Sequence, residues 1–530
     1  MHNEPGGRNT ADNCTRQQGG KMSNRVASSE IPFDQRIAPD VGSDLSLWPA
    51  IELAALIRRR AISPVDLVEI YLDRIEQENQ ALNAYVLIAA DAARAAARAA
   101  EATMMSGYAL GALHGVPIAV KDDSDVTGLV TTCGSRLLAG SIAKTDNPVI
   151  ARMKRAGAIV LGKTNLPEFG QSAITDNKLF GPTRSPIAPQ MNSLGSSGGS
   201  AAAVAGGLTA LAHGSDGGGS IRIPASACGV FGLKASWGRV PTGIRPNAFL
   251  HAPMVGLGPL TRWVADAALM MSVIDGASPS DPFTFALPEL DYLAACQREV
   301  GNLRVAFSPT IGGHLVSAEV RDVIGAAVAR LESIVAGVEE IEPQLRRPMS
   351  EVAEAWMTAA SVSSAAIDRR LAGEGIPLYD EHRDELTSYF AESIVQGRAV
   401  GAVDYFEIGL LRTELFDAVE SIFESFDLIV GPTLAIAGVE NATDGSLTQG
   451  PATVEGREVP ARAGWALTYP FNFTGHPAAS VPVGVTADDV PVGLQVIGRR
   501  FHDDDVLALS AAIERMSPWQ HRYPSPNEGA

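Results

Sequence analysis

Several features are scarce or missing in this 530-residue sequence, and each absence narrows the classes of function open to it. No run of about 18 apolar residues occurs, so no transmembrane helix is expected. The N-terminus has no apolar core of a secretory signal, so none is expected there. Cysteine is rare: Cys14, Cys133, Cys228 and Cys296 are the whole set. None pairs in a C-x-x-C, and the spacing suits neither zinc nor a disulfide framework. So few in so long a chain fits a reducing cytoplasm. Basic residues are outnumbered, 42 Lys and Arg against 60 Asp and Glu, for a net charge of −18. A nucleic-acid binder would want a basic face, so that class is disfavoured. A phosphate loop G-x-x-x-x-G-K-[ST] is absent. No G-x-G-x-x-G falls in a strand–turn–helix with a downstream ribose carboxylate. No internal repeat is visible. Apolar residues nonetheless reach 46% against 19% charged, enough for a sizeable core and too many for global disorder.

What is present is concentrated in residues 194–236, LGSSGGSAAAVAGGLTALAHGSDGGGSIRIPASACGVFGLKAS. Two serine-bearing glycine clusters, 195–200 and 216–220, flank an apolar run. Glycine lets main-chain N–H groups approach a ligand closely. A serine ending such a cluster can be an exposed nucleophile ringed by N–H donors. A flexible Gly/Ser linker would not carry dense alanine and leucine between its glycines. The run at 200–211 reads as a helix whose N-terminus faces the first cluster. Cys228 in this stretch reads as a buried small hydrophobe.

Elsewhere the pattern alternates helices and short strands. Residues 1–44 are polar and aperiodic and read as a poorly ordered extension, with Met22 as a second candidate start. Residues 46–60 look helical. Ser63 caps a second helix with Pro64 at its first position, and Val68, Tyr71, Leu72 and Ile75 mark its inner face. Residues 91–103 read as an alanine-rich helix. Strands are expected at 117–120 and 158–161, with a helix at 147–156 between them. A strand restarts near 301–307, and helices follow at 318–335, 351–366 and 404–426. The stretch 276–426 reads as a largely helical insert in a domain running from 45 to 526. A strand is expected again at 427–430, then a polar loop at 438–459.

The two glycine clusters closely resemble the signature of the amidase signature family of serine hydrolases, without a gap. YPFNFTGHPAASVPVG at 469–484 and VGLQVIG at 492–498 resemble further landmarks of that family. The resemblance spans about 48–523. It implies an α/β fold: one large domain with a twisted, mixed central β-sheet covered by helices on both faces. It also implies site residues. The nucleophile falls on Ser220. The bridging serine, held by a cis peptide bond, falls on Ser196. The lysine base falls on Lys121, at the end of the apolar run GVPIAVKD. Ser197, Asp216 and Arg222 fall on bracing positions. The N–H groups of Gly217, Gly218, Gly219 and Ser220 would form the oxyanion hole. The chain departs from the common pattern at four places. Gly217 stands where many members carry threonine, Leu194 replaces a usual glycine, Asp123 sits where asparagine is frequent, and Ala235-Ser236 replaces Pro-Thr.

The chemistry is coherent. A serine hydroxyl needs a base near neutral pH. None of the nine histidines lies in a triad context; His213 reads as a hydrogen-bonded structural residue. A lysine serves if burial keeps it neutral, and 116–120 would bury the stem of Lys121. Lys163 reads as a surface or packing lysine. The implied relay runs from Ser220 through Ser196 to Lys121, and the acyl-enzyme is released by water. Trp356, Met357, Trp465, Tyr469 and Phe471 are candidate pocket walls. Singly each reads as core; together they point to an aryl or other apolar amide.

The expectation is therefore an amidase without cofactor or metal, in the cytoplasm, acting on a small-molecule amide, with ester or carbamate cleavage as side activities. Neither nucleic acid nor membrane is an expected partner; a homodimer is left open. The alternative is the glutaminase subunit of a tRNA-dependent amidotransferase, against which the acidic balance and the long insert weigh. A non-catalytic binding protein on the same fold is disfavoured by the intact Lys121, Ser196 and Ser220.

Overall fold

Eleven strands build one mixed sheet in the computed structural model, which describes residues 44–243, 249, 254–462 and 464–524. The described residues all fall within one compact unit. The expected extension at 1–44 lies, except for Asp44, outside the described residues. In chain order the strands are β1 (Tyr85–Ile88), β2 (Pro117–Lys121), β3 (Ile159–Thr164), β4 (Leu211–Asp216), β5 (Phe231–Lys234), β6 (Gly256–Thr261), β7 (Arg304–Phe307), β8 (Gly337–Glu340), β9 (Leu428–Pro432), β10 (Thr453–Val454), β11 (Arg457–Glu458), β12 (Ala478–Val485) and β13 (Pro491–Gly498). The sheet order is β1-β3-β2-β4-β6-β5-β12-β13-β9-β7-β8, and β10 and β11 form a separate small hairpin within the expected polar loop. Helices flank the sheet, giving the expected α/β domain. Among the described residues no helix is long and apolar enough to cross a membrane.

One part of the topology positions everything else. β3, β2 and β4 are adjacent and parallel, so their C-terminal ends share one edge. Ligands commonly sit beyond the carboxyl ends of parallel strands. Those ends are Thr164, Lys121 and Asp216. Every residue of β2 is buried: the apolar run Pro117–Val120, as expected of a strand between parallel neighbours, and Lys121 at its end.

Ser63 caps the helix Pro64–Leu82 as expected, its hydroxyl accepting from the Val65 N–H at 2.9 Å. Val68, Tyr71, Leu72 and Ile75 are all buried. The expected helix at 46–60 is divided. A short 3-10 turn, Leu45–Leu47, precedes the helix Ala50–Arg58, with Pro49 at its cap. The run between the glycine clusters is not one helix to residue 211. The helix Gly198–Ala205 ends at Gly206-Gly207, where Gly207 turns at φ +70°, and Leu211 already begins β4. The 276–426 stretch contains β7 and β8 of the central sheet besides its helices, including Met349–Gly373, Ser388–Ala399 and Ala402–Phe423.

Candidate active site

Lys121, Ser196 and Ser220 come from three different elements. Lys121 ends β2 and is fully buried. Ser196 precedes the helix Gly198–Ala205 and follows a cis peptide bond from Gly195. Ser220 follows β4 in the turn that leads into the helix Arg222–Ala227. The Lys121 Nζ lies 2.7 Å from Ser196 Oγ. Ser197 N–H donates to the Ser220 carbonyl at 3.0 Å, which ties the two serine clusters together. The Ser220 hydroxyl makes no hydrogen bond among the described residues, and its residue is only half-buried. The leg from Ser196 to Ser220 is thus not closed as a hydrogen bond. Leu194, in place of a usual glycine, sits at φ +54°, the left-handed region that glycine enters freely and leucine resists.

The amine of Lys121 is held from two further sides. It lies 2.7 Å from Ser215 Oγ and 3.2 Å from Asp123 Oδ2. Ser215 Oγ donates its own proton to Asp123 Oδ2 at 2.6 Å. A carboxylate only accepts, so Ser215 must in turn accept from Lys121. Two N–H directions of the amine are therefore committed, to Ser215 and Asp123. The direction toward Ser196 carries a proton when the amine is charged and a lone pair when it is neutral.

Burial pulls the Lys121 amine below its ordinary value, while Asp123, then Asp216 and Cys133, pull the other way; the net direction is down. Burial alone would raise the Asp123 carboxyl, but Lys121 first, with His213 and Ser215, holds it below the usual range. Asp123 and Ser215 are the site residues that reading the chain missed. Both adjoin motif positions, and the Asp123 departure from asparagine was the available signal.

Asp216 and Arg222 brace the turn that carries Ser220. Both are fully buried, and Arg222 Nε and Nη2 meet the Asp216 carboxylate at 2.9 Å each. Asp216 also accepts from the N–H groups of Gly219 at 2.7 Å and Ile221 at 3.3 Å. Burial would raise its carboxyl, but the Arg222 guanidinium, then Lys234 and Asn472, drive it well below the usual range. The remaining Arg222 donors reach Thr468 O at 2.9 Å, Gln495 Oε1 at 2.6 Å and Asn472 Oδ1 at 2.6 Å. The two later landmarks, 469–484 and 492–498, therefore converge on this arginine. Ser197 Oγ donates to the Ser215 carbonyl at 3.1 Å, tying the first cluster to the end of β4 just before the second.

The four N–H groups expected to form an anion site are not equivalent. That of Gly219 is taken by Asp216. Those of Gly217, Gly218 and Ser220 have no partner among the described residues. Gly218 has no room for a side chain, since a Cβ there would lie 2.2 Å from the Trp356 ring. Gly217 is more open, its nearest neighbour being Val255 Cγ2 at 3.4 Å.

Lys163 is not at the surface. It is fully buried, paired with Asp122 at 2.8 Å, and donates to Thr131 Oγ1 at 3.0 Å. His213 is not hydrogen-bonded. Both ring nitrogens are buried without a partner among the described residues, and burial pushes the ring down to about 4, so it is neutral. Cys228 is buried and free. Trp465, Tyr469 and Phe471 lie in the core, while Trp356 and Met357 are half-buried. Trp356 stands 5.8 Å from Tyr469, whose hydroxyl meets His314 Nε2 at 2.8 Å.

Known proteins resemble this chain over most of its length. The family model described as Amidase matches residues 66–507. An acylamidase of Rhodococcus erythropolis is 35% identical over 478 residues, covering 90% of this chain and 97% of the relative. A glutamyl-tRNA(Gln) amidotransferase subunit of Moorella thermoacetica is also 35% identical, over 498 residues, covering 91% and 99%. The solved structure of a bacterial aryl acylamidase of the amidase signature enzymes superposes with a TM-score of 0.87 at 39% identity, covering 90% of this chain and 98% of that one.

Proposed function

The chain belongs to the amidase signature family, and from that premise we propose that it cleaves a small apolar or aryl carboxamide through an acyl-enzyme on Ser220. The observation that carries this reading is the 2.7 Å contact between the buried amine of Lys121 and Ser196 Oγ. A neutral amine is a competent base, and burial of Lys121 favours that form.

In this reading Ser220 Oγ attacks the amide carbon. Its proton passes to Ser196 Oγ, and the proton of Ser196 passes to the Lys121 lone pair. The carbonyl oxygen gains negative charge and is met by the N–H groups of Gly217, Gly218 and Ser220. Removing one donor of this kind typically costs ~3 kcal/mol of transition-state stabilisation. Collapse of the tetrahedral adduct returns the proton along the same route to the leaving nitrogen. Water then repeats the sequence and frees the carboxylic acid. Ser215 and Asp123 keep the lone pair of Lys121 turned toward Ser196, and Asp216 with Arg222 holds the donor turn.

The substrate class rests on the half-buried Trp356 ring beside the glycine turn, backed by buried Tyr469, and on the likeness to an acylamidase and an aryl acylamidase. Trp356 belongs to the 276–426 stretch, so we assign that stretch a part in shaping the pocket. Equal identity to a component of a tRNA-dependent amidotransferase keeps glutamine as the second substrate to test. The purified chain alone should hydrolyse acyl anilides faster than free glutamine. Turnover of glutamine only, and only with partner chains added, would replace the amidase reading with the amidotransferase one.

A further inference from the structure

The turn from Asp216 to Ser220 is held from its carbonyl side, plane by plane. The Asp216 carbonyl accepts from Asn472 Nδ2 at 3.0 Å. The Gly217 carbonyl accepts from Trp356 Nε1 at 3.2 Å. The Gly218 carbonyl accepts from Thr468 Oγ1 at 2.6 Å. The Gly219 carbonyl accepts from the Ile223 N–H at 2.7 Å. In a trans peptide the C=O and the next N–H point in opposite directions across one rigid plane. Anchoring a carbonyl therefore aims the N–H that follows it. The Gly218 plane shows the rule at work: with its carbonyl on Thr468, the Gly219 N–H is turned onto Asp216 Oδ1.

Applied one plane earlier, the rule gives Trp356 a role its ring alone would not have. We infer that Trp356 is a positioning residue for the hydrolysis. Its indole N–H holds the Gly217 carbonyl and thereby aims the Gly218 N–H at the oxygen that becomes negative during attack. Three further observations fit. The indole nitrogen is a donor only, so it has no use for the opposite orientation of the plane. The ring lies so close to Gly218 that a Cβ there would sit 2.2 Å from it, so plane and ring move together. The ring is itself backed by Tyr469, which is pinned by His314. Trp356 also lies on the helix Met349–Gly373, outside the glycine motif. The pocket-shaping stretch thus reaches the charge-stabilising groups directly, and an acyl or aryl group pressing on the indole would be felt at the reacting oxygen.

This inference rests on the oxyanion assignment made above, and its test separates the two. At position 356, Trp356→Phe removes the donor. Benzothienylalanine, in which sulfur replaces the indole N–H, removes it with the ring shape kept, so misfolding does not confuse the result. The readouts are kcat and KM on an acyl anilide, and the affinity of an aryl trifluoromethyl ketone that forms a tetrahedral adduct. Loss of one net hydrogen bond predicts a fall in kcat of about tenfold, with KM within about twofold, in both variants. Affinity for the trifluoromethyl ketone should fall by the same factor as kcat/KM. A rise in KM with kcat unchanged would reduce Trp356 to a wall, and unchanged kinetics would remove it from the reaction; either overturns the inference alone. A wild-type chain that neither turns over anilide nor forms the ketone adduct would overturn the proposed function and the inference together.

Discussion

Lys121 and Asp123 share one hydroxyl: Ser215 Oγ lies 2.7 Å from the lysine amine and 2.6 Å from the Asp123 carboxylate. The carboxylate itself stands 3.2 Å from the amine. The groups acting on Lys121 are thus Asp123, Asp216 and Cys133, which favour its charged form, with neutral His213 beside it on β4. Burial works against all of them and wins. In the proposed mechanism the base acts in its neutral form, so activity should rise with pH as Lys121 loses its proton. Asp123→Asn keeps the shape and removes the negative charge, so the lysine becomes neutral at lower pH. The acidic limb of kcat/KM should move to lower pH. An unmoved limb would show that Lys121 does not set the profile.

Gly217 and Gly218 differ in what surrounds them, and the difference is measurable. A Cβ at 218 meets the Trp356 ring at 2.2 Å, whereas one at 217 meets Val255 at 3.4 Å. Gly218→Ala should therefore lower kcat by about 100-fold, the scale of losing an oxyanion donor. Gly217→Ala should cost at least tenfold less than that on the same scale. Equal losses would mean that the turn tolerates neither for a reason other than Trp356.

How much of this was legible in the chain depends on distance along it. Lys121, Ser196 and Ser220 could be proposed from the chain because each lies in a compact local string: Lys121 ends an apolar run, Ser196 lies in the first glycine cluster and Ser220 ends the second. Ser215 was overlooked because it adjoins Asp216 and looks like part of the same cluster. Trp356, Thr468, Asn472 and Gln495 touch residues 216–222 from 139 to 273 positions away, and no spacing in a single sequence announces such contacts. The helix drawn from 200 to 211 ran too far because alanine and leucine continue past Gly206-Gly207. A positive φ at Gly207 ends it, and the same apolar residues then serve a buried strand. The helix Val264–Ile274 was missed because it is apolar on nearly every side and shows no 3.6-residue period. His213 was expected to have partners because buried imidazoles usually do.

The Asp216–Arg222 pair should govern stability as well as activity. Both groups are fully buried, and removing one partner of such a pair leaves the other charge unmatched, at about 3–5 kcal/mol. Asp216→Asn should lose that much in urea unfolding. The pH dependence has a definite sign. The Asp216 carboxyl is held far below its unfolded value of about 3.9, so its contribution is complete above that value and is lost as pH falls below it. The wild type should lose stability there more steeply than Asp216→Asn.

The central claim is that Ser220 is acylated with Lys121 as the base, and labelling by a fluorophosphonate followed by peptide mass spectrometry tests it most directly. The label should appear on the peptide carrying Ser220, vanish in Ser220→Ala, and form at least about 100-fold more slowly in Lys121→Met, as loss of a general base requires. A label on any other residue, or an undiminished rate in Lys121→Met, would contradict the account.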